Sequence, residues 1–406
     1  NLTYIMKILV LAPHPFFQNR GTPIDVLLVL RGLAERDGTE VDLLTYNEGS
    51  DVSLPNLSIH RTPNLRITRH IRPGFSLKKI ICDFFMLVQA WRMVGKRRYD
   101  LIHAGEEAVF IAMLMKFLYG VPYAYDLDSS IAQQMIEKIP QLSIFARLFN
   151  WWEKMAIGNS LINLPVCNAL ADLCDRNGSQ KTVVIHDISQ LKNPDLPNSG
   201  RLKKELGINN LILLYIGNLE VYQGIDLLLE SFKLACATTD KVDLVIIGGT
   251  QEDIKHYGEK ARRLGIETKT HFIGPRPFEE LDEYLAEADI LVAPRIKGIN
   301  TPMKVFPYLH SGKPVLLTDL YTHSQVIPKD VACLAPADPV NFSKEIVKLS
   351  EDEQLRARLG QKGKSFVEKE HTYVAHQRRL HGAYDWIEQK IKKKDPLGRS
   401  GKGVGE

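Results

Sequence analysis

From Met6 the chain alternates short apolar runs with helical patterns, and it does so twice. KILVLA, IDVLLVLRGLAER, VDLLTY, a helix through Phe84 to Val94, and DLIHAG follow in order, then a helix from Ala108 to Leu118, VPYAYD, an amphipathic stretch around Phe145 to Met155, LINLP and TVVIH. Parallel strands need a crossover between neighbours, so this alternation predicts a parallel sheet wound with helices. The pattern restarts at LILLYIG and runs through a helix from Ile225 to Ala237, VDLVIIGG, THFIG, EELDEYLAEA, DILVAP, a helix near 303 to 310, and PVLLT. The predicted fold class is therefore α/β, with two doubly wound domains facing a cleft. A chain of 406 residues fits two such domains of roughly 150 to 200 residues each.

LKNPDLPNSG, residues 191–200, is rich in Pro, Asn, Ser and Gly and is the predicted linker. It separates a first domain, 1–195, from a second, 196–370. A final helix is expected over 371–394, followed by a polar tail, 395–406, too poor in apolar residues to join a core.

The formal net charge of +4 argues against a nucleic-acid partner, whose basic stripe drives a domain much further. Five cysteines without a C-x-x-C pair read as reduced thiols of a cytoplasmic protein, not as a zinc site. No apolar run reaches the roughly 18 residues that a membrane span needs. Residues 61–98 nevertheless hold ten Lys or Arg and one acid, Asp83, among Ile71, Phe75, Phe84, Phe85 and Trp91. Such a segment suits either peripheral contact with an anionic membrane, at about 1 kcal/mol per cation, or a charged face over a buried helix.

The stretch most suggestive of chemistry is PRIKGINTPMKVFPYLHSGKPV, from Pro294. Arg295, Lys297 and Lys304 follow a strand, and Thr301-Pro302 reads as a helix start whose free amides would join them around an anion. Pro307 conflicts with a helix opening that early. YIGNLEVYQG brings Gly217, Asn218 and Gln223 to another strand end, and Gly249 and Gly274 end further strands. No G-x-G-x-x-G fingerprint or Walker loop is present, which disfavours dinucleotide or P-loop binding. In the first half, Gly21 and Thr22 lie between the first strand and the first helix. His103, Glu106 and Glu107 follow a strand in HAGEEA, where His103 fits a packed core histidine as well as a catalytic group. Asp126 and Asp128 share the D-x-D spacing of some metal sites, a spacing common by chance.

The order and spacing of KILVLAPHPFFQNRGTPIDVLLVLRGLAERDGTEVDLLTY, YIGNLEVYQGIDLLLESF, HFIGPRPFEELDEYLAEADILVAP and INTPMKVFPYLHSGKPVLLTD resemble the GT-B glycosyltransferases, specifically the retaining, metal-independent family 4. The resemblance covers nearly the whole chain and implies two Rossmann-like domains with a last helix that returns to the first. It also implies transfer of a sugar from a nucleotide-sugar donor to a glycan or lipid-linked acceptor, with no cofactor and no metal. Arg295, Lys297 and Lys304 would then neutralise the departing diphosphate, with His103 and Asp128 as further catalytic positions. Gly21, Thr22, Gly217, Asn218, Gln223, Gly249, Gly274, Asn300 and Thr301 would bind the donor, and Glu106 and Glu107 would lie on the acceptor side. Several positions depart from the family pattern. The paired glutamates are replaced by Ile299 and Pro307, a customary Arg and Lys by Asn218 and Gln223, and a first-domain histidine by Asp128. The resulting expectation is an altered but working enzyme of cell-surface polysaccharide or glycolipid synthesis at the inner membrane face. The alternative is a non-catalytic GT-B protein that binds a glycan or partner.

Overall fold

The computed structural model describes residues 4–18, 21–68, 71, 77–132 and 145–394. The chain divides into two compact units: one runs to His186 and resumes at His376, and the other spans Asp187–Ala375. The polar tail expected at 395–406 lies outside the described residues.

The first unit holds β1 (Met6–Ala12), β2 (Thr39–Thr45), β3 (Leu57–Arg61), β4 (Leu101–Gly105), β5 (Tyr123–Leu127) and β6 (Ile162–Pro165). They form one sheet in the order β3-β2-β1-β4-β5-β6, every neighbour parallel. Strand residues alternate between two cores, as a sheet covered on both faces requires. Leu9 and Leu11 pack under the Leu77–Lys96, Val109–Tyr119 and Ala146–Asn159 helices, whereas Ile8 and Val10 pack under Gly21–Ala34 and the last helix, Tyr373–Lys394. That last helix inserts Leu380, Ala383, Tyr384, Ile387 and Ile391 into the second of these cores. Arg36 adds ion pairs to its Asp385 and Glu388. Each large apolar side chain contributes roughly 1.5–3 kcal/mol when buried, enough in sum to fasten the helix to this sheet.

The second unit repeats the plan with β7 (Leu211–Ile216), β8 (Val242–Ile247), β9 (Thr270–Gly274), β10 (Ile290–Ala293), β11 (Val315–Thr318) and β12 (Cys333–Ala335). Their order is β12-β11-β10-β7-β8-β9, again all parallel. Read from β9, this is the same doubly wound order as in the first unit. The strand order reverses between β1 and β4 in one sheet and between β7 and β10 in the other. Ligands of wound sheets bind beyond the carboxyl ends of strands at such points.

Residues 191–200 are not a free linker. Asp282 accepts the amides of Lys192 and Asn193, and Glu287 accepts the amide and hydroxyl of Ser199. Their polar composition serves these fixed bonds, and the unit boundary falls earlier, between His186 and Asp187. All five cysteines are free thiols. No helix among the described residues is long and apolar enough to cross a membrane.

Candidate active site

In the second unit the loops after β7 and β10 come together at the switch point. The helix expected from Thr301 begins instead at Val305 and runs only to His310. The Thr301 hydroxyl does not cap it but donates to the carbonyl of Thr322, 2.8 Å away. Pro307 therefore falls in the first turn, where a missing N–H leaves no helical bond unmade. The helical amides expected around Thr301 are accordingly absent from this loop, and its cations carry the electrostatics.

Lys304 is the centre of the arrangement. Its Nζ donates to the Tyr215 hydroxyl (2.9 Å) and to Gln223 Oε1 (3.2 Å), and it lies 4.2 Å from the centroid of the Tyr215 ring. Both hydrogen-bond partners are neutral. Burial, reinforced by the Arg295 charge, pushes the Lys304 amine down to about 7. The Tyr215 hydroxyl, held well above its ordinary range by burial, donates in turn to the Asn218 carbonyl at 2.6 Å. Asn218 itself is exposed.

Arg295 is 9% exposed. Its Nε donates to the Lys297 carbonyl (2.6 Å) and an Nη to Asn300 Oδ1 (3.1 Å), with the guanidinium 5.3 Å from the Tyr222 ring centroid. Lys297 contributes that carbonyl while its side chain is exposed. The loop is fixed from beneath by the segment after β11. Thr318 Oγ1 donates to the Arg295 carbonyl, Thr322 Oγ1 to Asn300 and Gln325 Nε2 to Ile299. Gly249 packs beside Leu219, and Gly274 accepts the Gly248 amide at 2.9 Å.

Two glycines with positive φ sit directly against the two cations. At Gly298 (φ +115°) an added Cβ would lie 2.1 Å from an Nη of Arg295. At Gly217 (φ +153°) it would lie 2.3 Å from Lys304 Nζ and 3.1 Å from the Tyr215 hydroxyl. Gly217→Ala is therefore expected to displace the amine and to cost about 1–3 kcal/mol of stability, which urea unfolding of the variant measures.

Two contributors escaped the sequence reading. Tyr308 accepts the Ile216 amide (2.7 Å) and donates back to its carbonyl (3.0 Å), pinning the end of β7 to the Val305–His310 helix. His323 is fully buried, with Nδ1 2.9 Å from the Thr318 carbonyl and Nε2 without a hydrogen-bond partner. Burial and the nearby Arg295 and Lys304 charges lower its imidazole to about 4, against the bond to Thr318, so the ring is neutral. Neither residue belongs to a recognisable spacing; only the fold brings them under the loop.

In the first unit Gly21 and Thr22 form the opening turn of the Gly21–Ala34 helix rather than a loop before it. Thr22 Oγ1 donates to Glu106 Oε1 at 3.1 Å, and Lys79 bridges Glu106 and Glu107. Glu106 has φ +45°, a conformation costly for a residue with a Cβ. Burial would raise its carboxyl, but Lys79, His14 and Thr22 together hold it below the ordinary carboxylate value. Burial instead raises Glu107 to about 7, against the pull of Lys79 and with a further push from Glu106. Adjacent carboxyls with separated titrations are suited to holding and releasing one proton near neutrality.

His103 is in a different setting. Its Nε2 lies 3.1 Å from Asp126 Oδ2 and its Nδ1 2.8 Å from the Tyr384 hydroxyl, all within the core beneath the last helix. With both ring nitrogens used, it ties β4, β5 and that helix together instead of presenting a free nitrogen to substrate. Asp128, just beyond β5, is partly buried. Asp126 serves His103, and no group of three or more His, Cys, Asp or Glu among the described residues is placed to hold a metal ion.

Two family models match the chain. "Glycosyltransferase Family 4" covers residues 21–187, and "Glycosyl transferases group 1" covers 198–366. An uncharacterised glycosyltransferase of Methanocaldococcus jannaschii is 23% identical over 380 residues, spanning 90% of this chain and 94% of that protein. Sucrose-phosphate synthase from Thermosynechococcus elongatus shares the fold with a TM-score of 0.75 at 17% identity, covering 95% of this chain and all of that one. HepE of Anabaena, solved in complex with UDP, gives 0.71 at 16% identity, with 94% and 100% covered. Two parallel six-stranded sheets in Rossmann-like order and these two adjoining matches have one reading: the chain is a GT-B enzyme that belongs to the family 4, group 1 glycosyltransferases.

Proposed function

We propose that this enzyme transfers a sugar from a nucleotide-sugar donor to a hydroxyl of a glycan or lipid-linked acceptor, with retention and without a metal ion. The observation that carries this reading is the Lys304 amine, desolvated and held only by neutral partners beneath Arg295 at the β7–β10 switch point. A diphosphate there supplies the negative charge that makes the ammonium form favourable. As the anomeric C–O bond breaks, its electron pair leaves on the β-phosphate, and Lys304 and Arg295 stabilise that charge without a cation. The acceptor oxygen forms the new bond, and its proton passes to the leaving phosphate. Gly217, Asn218, Gln223, Asn300 and Thr301 shape the donor loop, while Glu106 and Glu107 serve the acceptor side. The bound UDP in HepE supports a nucleoside diphosphate as the ligand class. A lipid-linked acceptor would place the work at the cytoplasmic face of a membrane, in cell-surface polysaccharide or glycolipid synthesis.

Calorimetric titration with UDP, GDP and ADP in the presence of EDTA tests the assignment. One nucleotide is expected to bind selectively, with at least a tenfold weaker affinity in Arg295→Ala. Affinity that depends on a divalent ion, or that is unchanged in the variant, contradicts it.

A further inference from the structure

We propose that the outward faces of the Leu77–Lys96, Val109–Tyr119 and Ala146–Asn159 helices form one docking surface for an anionic lipid bilayer, which rests on the lipid-linked acceptor reading and names where that acceptor's membrane is held. Large apolar side chains stand in water along all three helices: Phe84 is 60% exposed, Trp91 53%, Phe117 85% and Trp151 54%, with Leu118 and Trp152 beside them. The faces adjoin one another. Trp91 Nε1 donates to the Tyr119 hydroxyl from one helix to the next, and Phe110 meets Trp152 edge-on at 6.1 Å. Beneath them the helices share the core with β4 and β5, so the exposed side chains are the ones left over after the sheet is covered.

Charge selects the occupant. The three helices contain only two acids. Asp83 accepts from the Tyr46 hydroxyl, and Glu153 is 3% exposed and accepts from Ser130 at 2.9 Å. Arg92, Lys96, Arg147 and Lys154 are exposed on the same helices. A symmetric pairing of two copies would bring these cations face to face. An anionic bilayer instead accepts the aromatic rings at headgroup depth and neutralises the cations around them. None of the three helices is long and apolar enough to span, so the protein lies on the surface.

The location refines the expectation placed on residues 61–98. Arg61 is spent on the carbonyls of Phe16, Tyr46, Glu48 and Ser50 and on Asp51, Lys79 on two glutamates, and Arg97 on Glu40 and Asp42. Arg69, Arg72 and Phe75 lie outside the described residues. What remains of that segment joins a surface completed by two later helices.

Three of the four tryptophans, Trp91, Trp151 and Trp152, lie on this surface, so intrinsic fluorescence reports its occupancy. The test titrates the full chain, without nucleotide, into vesicles of phosphatidylcholine alone or with about one third phosphatidylglycerol, following tryptophan emission and co-sedimentation. Binding with a blue shift is expected only on the anionic vesicles. It should weaken at least tenfold in the Phe117→Ser/Trp151→Ser variant and in the Arg147→Glu/Lys154→Glu variant, each with unchanged melting temperature and UDP affinity. Absence of vesicle binding, equal binding to neutral vesicles, or binding indifferent to both variants overturns the proposal. So does a dimer of the wild-type chain that the variants dissociate, which would make this face an interface between copies. Because vesicle binding is read without donor, its failure is distinct from a failure of nucleotide binding in the same preparation.

Discussion

Lys304→Met is expected to lower kcat/KM about 100- to 1,000-fold, the range seen when one preorganised donor to a developing oxyanion is removed. Steady-state kinetics with the preferred nucleotide sugar measure it. The same variant should fold at least as well as the parent near pH 6. A lysine whose amine titrates at about 7 in the folded protein, against about 10.4 when unfolded, binds fewer protons folded than unfolded between those values. Stability contributed by this site therefore rises with pH across that window, and the penalty for burying the ammonium is complete below about pH 7. Methionine keeps the length of the side chain and removes the titration. Urea unfolding at pH 6 and pH 9 should show the pH-dependent increment in the wild type and its loss in the variant.

The second large effect concerns stability. Lys79 is only 14% exposed and is the shared counterion of Glu106 and Glu107. Lys79→Met removes the one ammonium that both partly buried carboxyls face, and breaking a buried pair in this way costs about 3–5 kcal/mol. Without the ammonium both carboxyls titrate higher than they do now, so protonation at low pH relieves the repulsion. The variant is thus expected to be most destabilised near pH 8 and to recover part of the loss near pH 5. Denaturant unfolding at the two pH values reads the difference, and equal losses at both would mean that Lys79 acts through packing alone.

The wound architecture was legible because parallel strands covered on both faces write continuous apolar runs, and helices between them write a different period. Strand order was not legible: alternation and right-handed crossovers fit more than one wound order, and the reversal between β1 and β4 and between β7 and β10 shows only in the sheets. The site was legible only in part. Arg295 and Lys304 were found because cations after a strand end are conspicuous, but the helix start was misplaced. Thr301-Pro302 has the composition of a cap, yet the Thr301 hydroxyl is drawn to Thr322, a partner twenty-one positions away in sequence. Gly217 was noticed as a donor-side glycine at a strand end; the approach of Lys304 Nζ to it depends on a side chain from a distant loop. For His103 the sequence left a packed core histidine and a catalytic group both open, and Tyr384, almost three hundred residues later, makes it a core tie. Residues 61–98 were legible only as a charge count, since sequence does not say that Arg61, Lys79 and Arg97 already have carboxylate or carbonyl partners.

On the proposed mechanism Lys304 becomes a bound ammonium when the diphosphate arrives. Calorimetric titration of UDP, or of whichever nucleotide binds, at pH 8.5 in buffers of different ionisation enthalpy measures protons exchanged on binding. With the free amine titrating at about 7, uptake of close to one proton per site is expected, with affinity that falls with rising pH above 7 and loss of both in Lys304→Met. Binding without proton uptake, or uptake that persists in the variant, would contradict it.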